Sequence, residues 1–485
     1  MIKSLKIKNV FIFLFILIGI VLRVEKIIST QLYRDEVYDL FWSQSSSLRQ
    51  LLSYNYWDTF HPPAYFIFLK YWQLISIDPL FIRLPGVFSF LITSILLVIL
   101  AKKISPRSFL LSFILVVLFS FSSTQLTINI LARQYILVIP LMVLSLIMFI
   151  EILEGDKSKK LYFTIVTLMA FFADYSSIWL ILSYCLCVLF GFVAKKRYKQ
   201  ILFPMTIITM TIFFWVFLFM IEKIGFFSSV LNKNYPSGGF SIIDNLLNYI
   251  AWFTGIDLPQ LAINSSITRI VEIFFLVFGY MGLVYYMKKG NKYIGILLII
   301  ILTVPVIISL IITKFLLYVF VHRNLIFVNI AFMFGYSLFL YYLLRSKRLI
   351  LIIIGIMLLI VYILNPFFNF NKLYYHENYD WIKLTIYAHK ALKKSKSVVI
   401  SIDPLYMYSP IAYYSNFYGQ INGQTIVSDF TEDLTVYNRI IVVDFLEEYP
   451  NDIMLIAINN IRARNSMICN KVTLDSNVLV YQCDK

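Results

Sequence analysis

Charge is scarce in this chain. Asp, Glu, Lys and Arg make up only 14% of its 485 residues and hydrophobic side chains make up 60%, whereas soluble domains carry about 25% charged residues. Such a deficit, with a mean hydropathy of +0.80, excludes a soluble enzyme and a disordered regulator. Cysteine is scarce as well, and four residues without metal-type spacing exclude a disulfide scaffold. There is no Walker motif and no glycine-rich nucleotide loop, so any energy source has to arrive with the substrate. Internal repeats and low-complexity tracts are also missing.

What the chain has in abundance is long apolar runs. They lie at about 9–28, 81–101, 108–124, 134–153, 161–174, 176–194, 201–221, 268–287, 293–313, 324–344 and 349–365, most of them close to the roughly 20 residues that cross a bilayer as a helix. This predicts an α-helical polytopic membrane protein with about eleven transmembrane helices. The stretch 62–77 opens with Pro62-Pro63-Ala64-Tyr65, is interrupted by Lys70 and is rich in Tyr and Trp, which suits an interfacial helix better than a span.

The positive charge supports that reading. If 62–77 does not cross, the short basic loops all fall on one side: Lys3/Lys6/Lys8, Lys102/Lys103/Arg107, Lys157/Lys159/Lys160, Lys195/Lys196/Arg197/Lys199, Lys288/Lys289/Lys292 and Arg345/Lys347/Arg348, which is 19 of the 42 basic residues. Positive loops stay in the cytoplasm, so the expected orientation has a cytoplasmic N-terminus and an exported C-terminus. The formal charge of +16 is then mostly topology and not a nucleic-acid surface. The first run lacks a small-residue cleavage pattern and ends in Arg23, Glu25 and Lys26, as an uncleaved helix would.

Two domains are expected: a transmembrane domain over 1–365, whose first outer loop is 29–80, and an extracytoplasmic domain over 366–485. The latter has 11 basic against 12 acidic residues and no span. β-Branched runs at 397–403, 439–444 and 478–483 alternate with helix-like stretches at 377–395 and 451–464, the pattern of a small soluble α/β domain. Cys185 and Cys187 fall in a span and read as packing residues. Cys469 and Cys483 fall in the exported domain, where a disulfide is permitted and a free pair is equally compatible with the sequence.

Ionisable residues at the outer ends of the spans are the functional candidates, because charge near hydrocarbon is costly. The first outer loop holds Tyr33-Arg34-Asp35-Glu36 and then Asp58-Thr59-Phe60-His61. The acid pair has two readings: ordinary helix N-terminal acids, or a carboxylate fixed beside an apolar wall and suited to general-base work. Taken alone, His61 reads as a hydrogen-bonded interfacial residue; beside Asp58 and the acid pair it becomes a site candidate. Arg133, in Ala132-Arg133-Gln134-Tyr135, either snorkels to headgroups or presents a planar charged fork to a phosphate. Lys314, His322 and Arg323 repeat that pattern before a late span, and Asp174-Tyr175 reads foremost as a turn. Carboxylates and cations at one membrane face are the combination needed to join a hydrophilic acceptor to a lipid-linked phosphate donor.

In their order, these pieces resemble the class C (GT-C fold) glycosyltransferases of the protein O-mannosyltransferase and lipid A aminoarabinose transferase type. Tyr33-Arg34-Asp35-Glu36 resembles the family's acidic pair, and His61-Pro62-Pro63-Ala64-Tyr65-Phe66 its His-Pro-Pro-Leu-Tyr-Tyr signature. Arg83-Leu84-Pro85-Gly86 is similar to its Arg-Leu-Pro-Ser segment, Ala132-Arg133-Gln134-Tyr135 to its Ala-Arg-x-Tyr segment, and Arg323 to its late Arg-Tyr. The likeness extends over about 1–350. It implies an enzyme that moves a sugar, with inversion, from a polyprenyl phosphate to a hydroxyl of a lipid, glycan or protein on the non-cytoplasmic face. It also implies Asp35 as general base with Glu36 assisting, His61, Arg133 and Arg323 on the donor phosphate, and Asp58, Tyr65 and Asp174 in acceptor or supporting roles.

The chain departs from the family at Asp174-Tyr175, where many relatives have His-Tyr, and at Arg323-Asn324, which leaves the sugar open. No cofactor is expected; with few histidines a required metal is not indicated, although Asp35, Glu36 and Asp58 have the chemistry for a divalent ion. The Phe-, Tyr-, Ile-, Lys- and Asn-rich composition resembles that of an AT-rich bacterial genome, which favours an undecaprenyl carrier in a plasma membrane. The competing readings are a lipid-linked glycan transporter or flippase, which would spread charge through the mid-membrane and often pair two halves, and a scaffold with a degenerate acid pair.

Overall fold

A computed structural model describes residues 2–45, 47–52, 62–106, 108–189, 195–219, 246, 250, 254, 265–315, 325–369, 397–401, 426–427, 439–445, 468–475 and 478–484. Each of the eleven expected spans falls on a helix. They are α1 (Ile2–Ser29), α5 (Pro79–Ile104), α6 (Phe109–Phe121), α8 (Tyr135–Glu154), α9 (Lys159–Ala173), α10 (Ile178–Leu189), α11 (Lys195–Phe219), α12 (Ser265–Lys289), α13 (Lys292–Phe315), α14 (Ile326–Leu344) and α15 (Leu349–Asn369). Between them lie α2 (Arg34–Ser45), α3 (Leu48–Leu52), α4 (Pro63–Trp72) and α7 (Ser123–Ile130). Seven helices among the described residues are long and apolar enough to cross a membrane, and α6 with α7 makes an eighth if the bent pair counts as one. The chain is a multi-pass membrane protein.

The chain forms two compact units. Residues 1–26, 48–65 and 83–373 make up the first, and 27–47, 66–82 and 374–485 the second.

In the first unit, α14 is apolar around its whole circumference and buried along nearly all its length, as a central bundle helix must be. It packs on α12 through glycines: a Cβ on Gly282 would lie 1.9 Å from the Gly335 carbonyl oxygen, and one on Gly335 would lie 2.4 Å from that of Gly279. Lipid tails are as apolar as leucine, so spanning helices associate through such close backbone approach. Gly282→Leu therefore forces the two helices apart, and a loss of about 1–3 kcal/mol is expected as a lower unfolding midpoint in detergent. Hydroxyls tie three further helices together, with Ser145 of α8 bonded to Thr167 of α9 at 2.7 Å and to Tyr184 of α10 at 3.3 Å.

The ends of α5 and α8, which open two of the basic loops, meet at one end of this bundle. Lys103 at the end of α5 pairs with Glu151 at the end of α8 at 2.8 Å, and Arg345 after α14 donates to the Tyr341 hydroxyl. Gly155 closes α8 in the left-handed region, φ 111°, its N–H donating to the Glu151 and Ile152 carbonyls. That turn opens the Lys157/Lys159/Lys160 loop.

The second unit contains α2, α4 from Phe66 onward and a five-stranded mixed sheet. Its strands are β1 (Ser397–Ser401), β2 (Ile426–Val427), β3 (Arg439–Phe445), β4 (Ile468–Asp475) and β5 (Val478–Asp484), in the order β2-β1-β3-β5-β4. β1 runs parallel to β2 and β3, with Val399 opposite Ile441, while β5 runs antiparallel to β3 and β4. The three strands expected from sequence are present, and β2 and β4 join them; the helix-like stretches 377–395 and 451–464 lie outside the described residues. Cys469 and Cys483 face each other across β4 and β5 and form a disulfide, whereas Cys185 and Cys187 are free. Denatured protein should accordingly yield two alkylatable thiols without reductant and four after reduction, read by mass spectrometry.

α4 is ten residues long, about 15 Å at 1.5 Å per residue, too short to cross, as expected of 62–77. Trp72 anchors its end: the indole N–H donates to the Phe81 carbonyl at 3.0 Å and the two rings stack at 4.6 Å.

Candidate functional site

The acid pair sits at the head of α2. Asp35 and Glu36 occupy its first turn, and the backbone N–H of Tyr33 donates to Glu36 Oε2 at 2.6 Å, half of a capping box in which an acid reaches back to the helix start. Glu36 is fully buried and Asp35 half-buried. Glu36 thus helps hold the turn, and Asp35 is the more exposed of the two.

A third acid was missed by motif reading. Asp39 lies three residues beyond Glu36 and four beyond Asp35, on the same helical face, and is fully buried. The spacing 35/36/39 was the available signal. One turn further, Ser43 donates to the Asp39 carbonyl at 2.7 Å and accepts from Gln73 Nε2 at 3.0 Å, and Lys70 Nζ donates to the Ser43 carbonyl at 3.4 Å. Lys70, which interrupts the apolar pattern of 62–77, therefore places its charge at the C-terminal end of α2, where the helix dipole favours a cation.

In the first unit the candidates lie around the turn that follows α7. α6 stops at Ser122, which is extended (φ −66°, ψ 120°), and α7 leaves at 60°. Ser122 caps it, accepting from the Gln125 N–H at 3.4 Å. α7 is entirely buried, polar residues included, and two of those residues are bonded to later spans: Gln125 Nε2 donates to Asn329 Oδ1 at 2.8 Å and Ser123 Oγ accepts from Asn365 Nδ2 at 2.7 Å. An expected span at 108–124 is thus a broken helix whose second piece carries polar side chains inside the bundle.

At the far end of α7 come Leu131, Ala132, Arg133 and Gln134. Arg133 is 4% exposed, so it does not snorkel freely, and its carbonyl accepts the Ile136 N–H at 3.1 Å at the start of α8. The Tyr65 hydroxyl donates to the Ala132 carbonyl, bringing the start of α4 and the Arg133 turn together. Arg83 is fully buried, and three residues on, a Cβ at Gly86 would lie 1.9 Å from the Asn129 carbonyl oxygen. A glycine at this position is what lets α5 lie against α7.

Asp174 is buried and acts as a turn former, its Oδ1 accepting the Ser176 N–H at 2.7 Å. Beside it, burial pushes the Tyr175 hydroxyl up to about 12, against the opposing effect of the Trp215 indole that donates to it at 3.1 Å. Asp58, His61 and Arg323 lie outside the described residues. Asp35 and Glu36 belong to the second unit, and Tyr65, Arg133 and Asp174 to the first. Among the described residues no group of three or more His, Cys, Asp and Glu side chains could hold a metal ion.

No family model matches the chain, and no curated protein matches it. Among solved structures it is similar to the crystal structure of ArnT from Cupriavidus metallidurans in the apo state, at 11% identity over 98% of each chain and a TM-score of 0.44.

Proposed function

We propose that the chain is a membrane glycosyltransferase of the GT-C type that moves a sugar from a polyprenyl phosphate to a hydroxyl of a lipid, glycan or protein acceptor at the extracytoplasmic face. The observation that carries this reading is the ordered set Asp35-Glu36, His61-Pro62-Pro63, Arg83-Leu84-Pro85, Ala132-Arg133 and Arg323, with Asp35 half-open at a helix head and Arg133 buried in a turn beside Tyr65. Asp35 accepts the acceptor's hydroxyl proton while its oxygen attacks the anomeric carbon. The bond from that carbon to the phosphate oxygen breaks on the opposite side, so configuration inverts and polyprenyl phosphate departs. Arg133, with His61 and Arg323, stabilises the charge on the leaving phosphate; Asp58, Tyr65 and Asp174 support the acceptor side. The sugar-phosphate bond itself supplies the energy, in keeping with a chain that has no nucleotide loop.

Placement of the sheet outside the cell, with the N-terminus in the cytoplasm, is supported by the one-sided basic loops and by the Cys469–Cys483 disulfide, since such bonds persist in oxidising compartments. The test is label transfer from a panel of polyprenyl-phosphate sugars by purified protein in nanodiscs, with native lipid and glycan extracts as acceptors. Product from one donor establishes the transferase and begins to name its sugar. Donor binding without product from any donor or acceptor would end the reading and favour a transporter.

A further inference from the structure

Among the described residues, Arg23 is a buried chemistry-bearing residue that this mechanism leaves unused. It is a permanent cation in the first span, fully buried, and burying a charge is expensive unless it is well partnered. Its partners are neutral. Nε donates to Asn129 Oδ1 at 3.1 Å and Nη1 to the carbonyls of Gly19 at 2.9 Å and Ser120 at 3.3 Å, while the guanidinium lies 3.6 Å from the centre of the Phe90 ring, a cation–π contact.

The partners matter by position. Ser120 lies in the last turn of α6, whose final carbonyls have no helical donor because the helix stops at Ser122; a cation there also complements the helix dipole. Asn129 lies in the last turn of α7. One planar fork therefore spans the 60° break, gripping the end of α6 and the end of α7 together. α7 is already held at its start by Asn329 and Asn365, so the grip at Asn129 removes its remaining freedom. Four residues beyond Asn129 is Arg133.

We infer that Arg23 is a positioning residue: it locks the α6–α7 break and thereby sets where the Ala132-Arg133 turn presents its guanidinium. For the effect on transfer this rests on the proposed role of Arg133; for the placement of the turn it does not. Lysine cannot replace the fork, because a compact ammonium on a flexible stem lacks the fixed plane that meets three acceptors and the ring face together.

Two measurements test it, one independent of any reaction. Arg133→Cys in full-length protein that also carries Cys185→Ala and Cys187→Ala should react slowly with maleimide, and at least about tenfold faster once Arg23→Met or Asn129→Leu is added, because the turn then opens locally. In transfer assays, Arg23→Met and Arg23→Lys should raise the donor KM at least about tenfold with kcat changed less. Adding Arg23→Met to Arg133→Ala should change nothing more, as for residues acting through one another. Equal maleimide rates in both backgrounds would overturn the inference even if the enzyme is active, as would additive losses in the double variant. A wild-type protein that transfers no sugar, with the faster labelling still seen in the Arg23 and Asn129 variants, would overturn the proposed activity and leave the lock standing. Arg23→Lys and Asn129→Leu provide the readout should Arg23→Met fail to fold.

Discussion

Asp35→Asn should lower kcat about 10³-fold, within the 10²–10⁴ range of general-base catalysis, and leave the donor KM nearly unchanged. Asparagine keeps the shape of aspartate, and the helix-start bond is made by Glu36, so α2 should still form; asparagine loses the carboxylate that can take a proton. A drop in kcat without a change in KM marks an interaction made only in the transition state. Glu36→Gln is the informative neighbour. Glu36 is buried and its Oε2 accepts the Tyr33 N–H, a bond that an amide oxygen can also accept, so this variant should retain activity within about tenfold of wild type, given the modest net worth of such a bond. Initial rates with a labelled polyprenyl-phosphate sugar compare the two. If Asp35→Asn turned over at the wild-type rate while Glu36→Gln did not, the base would have been assigned to the wrong acid; if both were unaffected, base catalysis by this pair would be ruled out.

Much of the frame was legible from hydropathy, because a bilayer demands long apolar helices whatever their neighbours are; all eleven expected spans fall on helices. Lys70 and the aromatic residues of 62–77 correctly marked a helix too short to cross. What hydropathy could not show is the break at Ser122. Ile128 and Ile130 keep the local average high, while the decision to bend lies with Ser122 as a cap and with side chains from more than 200 positions away, Asn329 and Asn365, that satisfy α7. Non-local partners leave no periodic trace. The same applies to Arg23, which in sequence is simply the end of a first span and in the fold is a buried clamp. Asp39 was legible in principle, from its i, i+3 and i+4 spacing with Glu36 and Asp35, but it lies outside the adjacent pair that forms the motif. β2, two residues long, carries too short a pattern to be read at all.

Arg133→Ala should cost about 10²–10³-fold in kcat/KM, the scale of removing one well-placed donor from a developing anion. The reason for so large a figure is burial. A surface arginine shares its phosphate with water, whereas one that is 4% exposed works in a medium where charge is poorly screened. Arg133→Lys should fall between wild type and alanine, since it keeps the charge and loses the bidentate fork; it also guards against the objection that alanine merely leaves a hole beside Tyr65. Whether the phosphate is what Arg133 recognises is decided by an inhibitor that has no sugar. Polyprenyl phosphate, the leaving group itself, should compete with donor in the wild type and lose that competition at least about tenfold in Arg133→Ala. Undiminished inhibition alongside slow transfer would place Arg133 on the sugar or the acceptor instead, because a residue that binds the phosphate must be felt by a ligand that offers little else.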